Sequence, residues 1–120
     1  MEFERTIPVV RIFDELKMKE FYIDFLGFTI DWEYRHKEGL PIYLQISKGE
    51  CQIHLSEHHG DCAPGATIRI PTKPIDEYQK ILIGKQYKNA KPSIVNQPWG
   101  KLEMIIIDPF YNQLIFSQDY

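Results

Sequence analysis

The side chains with most chemistry to offer cluster in the first half of the chain. His54, His58 and His59 stand close together, flanked by Cys51 and Cys62, with Glu57 and Asp61 among them. Imidazole, thiolate and carboxylate all ligate divalent ions, yet the H-H-x-x-C run from His58 to Cys62 does not supply the C-x-x-C pair from which zinc sites are commonly built. A Cys62–His59 nucleophilic couple would need an orienting third group and oxyanion donors, and the sequence shows neither. The loop is therefore read as using His58 and Asp61 to bond its own backbone or to border a ligand groove. A second set is aromatic and acidic: Asp31, Trp32, Tyr43 and Trp99. Flat rings stack on planar heteroaromatic ligands, and carboxylates attract amines. Against this stands ordinary packing, since a tryptophan at a strand entrance also serves as half-buried filling.

The elements that position these residues follow from periodicity. Thr6 to Ile12 is β-rich, and its Pro8 suits an edge. From Asp14, a natural N-cap, Met18, Phe21, Tyr22, Phe25 and Leu26 recur at helical spacing until Gly27. Phe28 to Arg35 alternates, which puts Trp32 on the face of Phe28 and Ile30 and so toward the core. Ile42–Ser47 and Cys51–Ser56 flank a Lys48-Gly49-Glu50 turn. Their apolar side (Ile42, Leu44, Ile46, Cys51, Ile53, Leu55) should lie under a helix, while Tyr43, Gln45, Gln52, His54 and Ser56 form an uncharged, ring- and amide-rich face of the kind a ligand touches.

Glu57 to Gly65 is a loop. Beyond it come a strand at Ala66–Ile70, a helix from Pro74 to about Gln86 with Ile75, Tyr78 and Leu82 on one face, and a short strand at Pro92–Asn96. Gln97 to Phe116 is a β-hairpin whose turn is built on Asp108-Pro109 and closed at Asn112, a residue that tolerates left-handed backbone. The halves repeat: Val10-Arg11-Ile12 echoes Ile68-Arg69-Ile70, Glu20-Phe21 echoes Glu77-Tyr78, and Gly27 echoes Gly84. The expected fold class is α+β, a single domain over 1–120 with modules at about 1–60 and 61–120. The paired β-α-β-β-β modules form a curved, half-barrel-like mixed sheet with helices on the convex side.

Composition narrows the function. With 26% charged residues, a net charge of −3 and no basic stripe, the chain lacks the footprint of a nucleic-acid binder. No apolar run is long enough to span a membrane. The first residues show no secretory signal, so the expected location is cytoplasmic and the two cysteines read as free thiols.

The segments IPVVRIFD, EFYIDFLGF and LSEHHGD, and the final WG with DPFYNQLIF, resemble the vicinal-oxygen-chelate superfamily, which includes glyoxalase I, extradiol dioxygenases, fosfomycin-resistance enzymes and bleomycin-resistance binding proteins. One departure is Tyr111, where the family commonly has Gly before Asn112. Enzymes of that superfamily hold a divalent ion with His, Gln or Glu at three inward positions, and the resemblance places these at Ile7, at Ala66 or a neighbour (Gly65, Thr67), and at Ile115. Ile7, Ala66 and Ile115 cannot ligate, so no metal cofactor and no catalytic residue are expected, and an enzymatic role is disfavoured. What remains resembles the bleomycin-resistance branch, non-catalytic homodimers that sequester a cationic antibiotic in grooves between subunits. By this resemblance the ligand-binding residues are Asp31, Trp32, Ser56 and Trp99, joined by Tyr43, His54 and His58 from the face and loop described above. The alternative is a metal-dependent lyase or dioxygenase relative with a non-standard metal site.

Overall fold

The computed structural model describes Met1–Tyr120 and gives each half one strand, one helical segment and three more strands. The first half runs β1 (Val9–Arg11), α1 (Glu15–Met18) continuing as a π-helix (Lys19–Phe25), β2 (Thr29–Tyr34), β3 (Tyr43–Lys48) and β4 (Cys51–Ser56). The second runs β5 (Thr67–Pro71), α2 (Ile75–Gly84), β6 (Ile94–Gln97), β7 (Lys101–Ile107) and β8 (Gln113–Asp119). Each half builds its own four-stranded sheet, ordered β1-β4-β3-β2 and β5-β8-β7-β6. In both, the first strand pairs in parallel with the last and every other pairing is antiparallel. The chain is thus α+β, a duplicated β-α-β-β-β unit with mixed sheets.

Local departures from the sequence reading have physical causes. Pro8 has no N–H to continue a ladder, so β1 covers only Val9–Arg11 of the expected Thr6–Ile12, although the Pro8 carbonyl still accepts from His54 N–H at 2.9 Å. Asp14 caps the first helix as expected, taking the Lys17 amide at 2.9 Å. Most of that helix is then π rather than α, and the Phe21 carbonyl accepts from Leu26 N–H, five residues on, at 2.9 Å. Pro74 is the N-cap of α2 rather than its first helical residue, and the free Ile75 amide is taken by the Gln118 side chain at 2.7 Å.

The alternation in the strands sorts their faces. Leu44, Ile46, Ile53 and Leu55 from the first sheet, and Met104, Ile106, Leu114 and Phe116 from the second, join Met18, Phe21, Tyr22, Phe25, Ile75 and Leu82 from the helices in one buried cluster. Burial at roughly 1.5–3 kcal/mol for each large apolar side chain makes this cluster the main source of stability. The opposite faces of both sheets are left uncovered by helices.

The hairpin turn locks the halves together. Buried Asp108 accepts from the Phe110 and Asn112 amides at 2.8 Å through Oδ1, and from Tyr22 Oη at 2.6 Å and Asn112 Nδ2 at 2.8 Å through Oδ2. Asn112, fully buried, also donates to the Arg11 carbonyl at 2.8 Å and accepts from Ala66 N–H at 3.1 Å. The left-handed residue of the turn is Tyr111 (φ 69°), not Asn112 as the sequence reading had it. Asn112 is drawn instead into fastening β1 to the start of β5, which leaves the positive φ to its exposed neighbour.

Candidate functional site

The open face of the first sheet owes its character to one extra residue. Ile30 pairs with Ile46 but Trp32 pairs with Gln45, so Asp31 is a β-bulge. A bulge shifts every later side chain of its strand to the other face. The strict alternation that would send Trp32 into the core therefore fails at this position. Trp32 is 43% exposed and stands on the face of Tyr43 and Gln45. Its ring stacks on Tyr43 (centroids 6.0 Å, interplanar 13°) and meets His54 edge-on at 5.3 Å, while Tyr43 and His54 are themselves edge-on at 5.2 Å.

A directed hydrogen-bond chain holds these rings. Gln45 Nε2 donates to Asp31 Oδ2 at 2.9 Å, which leaves Gln45 Oε1 as the acceptor that faces His54 Nε2 at 2.9 Å. In the neutral imidazole this orientation puts the proton on Nε2 and leaves Nδ1 to accept from Tyr43 Oη at 2.7 Å. Ser47 Oγ completes the set by donating to Asp31 Oδ1 at 2.9 Å. Tyr43 Oη commits its single proton to His54, so it can meet a ligand only as an acceptor. Burial, with help from Asp61 and Cys62, pushes the Tyr43 phenol above its ordinary range, so it stays neutral at physiological pH.

Ser56 and His58 sit at the rim of the same face. The fully buried Ser56 hydroxyl donates to Asp61 Oδ2 at 2.6 Å and accepts the His58 amide at 3.0 Å, so it braces the loop after β4. Both capacities of that hydroxyl serve the loop. Burial and Asp61 raise the Cys62 thiol, against the pull of Arg11, which disfavours a nucleophilic thiolate there.

Trp99 lies on the other sheet, in the turn between β6 and β7, and is 59% exposed. No ring contact joins it to Trp32 within one chain. Its indole faces Glu103 on the open face of the second sheet, and Gln97 and Arg69 converge on the same carboxylate. Arg69 Nη1 bonds Glu103 Oε2 at 2.7 Å, and Gln97 Nε2 lies 3.3 Å from Oε1. That bond from Arg69 overcomes burial and, with its charge and the Trp99 and Gln97 donors, holds the Glu103 carboxyl below its usual range. The sequence reading missed this pair, although the Val-Arg-Ile and Ile-Arg-Ile repeat marked both arginines.

The residues that the resemblance places at the superfamily's metal positions have side chains that do not suit a divalent ion. Ile7 and Thr67 line a cavity of about 650 Å3 between the modules together with Arg5 and Arg69, and Ile115 pairs with Arg69 across β5 and β8. Neither isoleucine can ligate, the carboxylates nearby are engaged by the guanidiniums (Glu50 by Arg5, Glu103 by Arg69), and nowhere do three His, Cys, Asp or Glu side chains converge.

Fold and site together define a class: duplicated β-α-β-β-β proteins with open, ring-lined sheet faces. More particularly, the chain belongs to the glyoxalase superfamily, whose family profile, described as "Glyoxalase superfamily protein", matches residues 1–120. It is 29% identical to bleomycin resistance proteins of Geobacillus stearothermophilus and Staphylococcus aureus over 134 aligned positions, covering 95% of this chain and 96% of theirs. Among solved structures it is similar to a glyoxalase-related enzyme from Clostridium phytofermentans (TM-score 0.76, 20% identity, covering 100% and 98% of the two chains). It is also similar to a bleomycin-binding protein solved with bleomycin (TM-score 0.72, 18% identity, covering 98% and 100%).

Proposed function

We propose that the protein captures and sequesters a bleomycin-type small molecule without transforming it. The observation that carries this is the stacked Trp32–Tyr43–His54 wall, held by a continuous hydrogen-bond chain from Asp31 to Tyr43 and left open to solvent. Such a surface offers ring faces and acceptor oxygens to a planar ligand bearing amine donors, and it offers no activated nucleophile. Full-length kinship to bleomycin resistance proteins supports the same reading.

The binding unit in this proposal is a homodimer. Besides the ring wall, the second sheet exposes Ile105, Ile107, Val95 and Trp99 at 42–59%, and a second copy would bring that face opposite the first. Trp99 of one subunit then closes the groove over Asp31, Trp32, Tyr43 and His54 of the other, with Ser56 and His58 holding the rim. No helix is long and apolar enough to cross a membrane, and the proposed setting is the cytoplasm.

Titration calorimetry with metal-free and copper-loaded bleomycin tests the proposal. Trp32→Ala and Trp99→Ala should each weaken capture by about 2 kcal/mol, as buried stacking aromatics do at interfaces. Absence of binding to either form, or stoichiometric transition metal in the purified protein, would sink it.

A further inference from the structure

The two halves place an arginine at the same point of their repeat, and the structure treats them differently. Arg69 is neutralised by Glu103 at 2.7 Å. Arg11 makes no ion pair, and its Nε is buried without any hydrogen-bond partner. The guanidinium is instead steadied over the Phe13 ring, 4.7 Å from its centroid, and Phe13 rests on Phe110 at 6.2 Å. A guanidinium pinned on one face by an aromatic ring, with its donors unused, is preorganised for a planar oxygen pair.

Its position ties it to the ring wall. Val10 and Ile12 point into the core, so Arg11 lies on the open face, where it pairs with Ser56, and Ser56 pairs with Tyr43. Two strand spacings, about 10 Å, separate Arg11 from Tyr43. Asp61, beside this end of the face, gives its Oδ2 to Ser56 and leaves Arg11 unpaired. The face is therefore polarised, with Asp31 on the β2 edge, rings in the middle and a free guanidinium on the β1 edge.

The geometry points to a ligand that presents an anionic oxygen group, a carboxylate, sulfonate or phosphate, to Arg11 while its aromatic part lies on Trp32 and Tyr43. This rests on the ring wall being the binding surface proposed above. It adds a chemical requirement at the end of the face away from Asp31, beside the acidic end that receives amines.

The test uses matched probes, 2-naphthoate and its neutral counterpart 2-naphthamide, titrated by calorimetry into the full-length protein and into Arg11→Gln, Arg11→Lys and Trp32→Ala. The naphthoate should bind at least tenfold tighter than the amide. Arg11→Gln should erase that preference, Arg11→Lys should keep part of it, and Trp32→Ala should weaken both probes. Equal binding of the two probes, no binding of either, or a preference that survives Arg11→Gln would overturn the assignment. So would dissociation of a dimer by Arg11→Gln in sedimentation, because the acceptor would then be a second copy. Bleomycin titrated in parallel separates the two proposals: capture that persists while the naphthoate preference fails leaves sequestration standing, and the converse leaves Arg11 standing.

Discussion

Replacing Asn112 by alanine should cost more than any single surface contact suggests. The side chain makes three bonds, to the Arg11 carbonyl, from the Ala66 amide and to Asp108 Oδ2, at 2.8–3.1 Å and with no exposure to solvent. Each is worth about 1 kcal/mol net, and a buried partner left unsatisfied adds about 1–3 kcal/mol. Asp108 Oδ2 keeps Tyr22 as a donor, so the main orphans are the Ala66 amide and the Arg11 carbonyl. The expected loss is about 3–5 kcal/mol, against a total of about 6–18 kcal/mol for a chain of this length. Urea unfolding followed by tryptophan fluorescence should show the midpoint falling by about 2 M with unchanged slope. Asn112→Asp is the sharper arm. It keeps the acceptor for Ala66 but turns the donor toward Asp108 and Arg11 into an oxygen, so at neutral pH it should be as damaging as alanine. A cost below about 1 kcal/mol for alanine, or tolerance of the aspartate, would show that the turn does not fasten the modules.

The remaining expectations are quicker to state. Tyr111→Gly relieves a left-handed backbone worth about 1–2 kcal/mol, partly offset by the greater freedom of unfolded glycine; the urea midpoint should rise by the equivalent of about 0.5–1 kcal/mol, and a fall would contradict the φ of 69°. His54→Phe keeps a ring but leaves Tyr43 Oη and Gln45 Oε1 without partners, so calorimetry should show bleomycin capture weakened by roughly 1 kcal/mol or more; unchanged affinity would remove the hydrogen-bond chain from the site. Glu103 has its folded pKa below its unfolded value because Arg69 bonds its charged form. It therefore stabilises the fold above the ordinary glutamate range and loses that contribution as pH falls through its folded value. Glu103→Gln should accordingly flatten the acid limb of a melting temperature against pH plot, and an unaltered limb would refute the pairing.

How far the sequence could be read depended on the kind of order involved. Strand faces and helix stripes follow from side-chain period alone, which is why the repeat, both helices and the buried set from Leu44 to Phe116 were legible. The site was less so, because its decisive feature is a break in period. Nothing in Phe28-Thr29-Ile30-Asp31-Trp32 announces a bulge. Only the pairing of Ile30 with Ile46 and Trp32 with Gln45 reveals it, and that pairing is set by a neighbouring strand rather than by local propensity. The Asp31 carboxylate faces outward with or without the bulge and collects Gln45 and Ser47, whereas the tryptophan beside it would be buried in strict alternation and reaches the open face only because of the extra residue. The same dependence on distant partners hid Glu103, an acid buried only because Arg69 arrives from another strand, and Arg11, whose meaning lies in lacking what its repeat mate has.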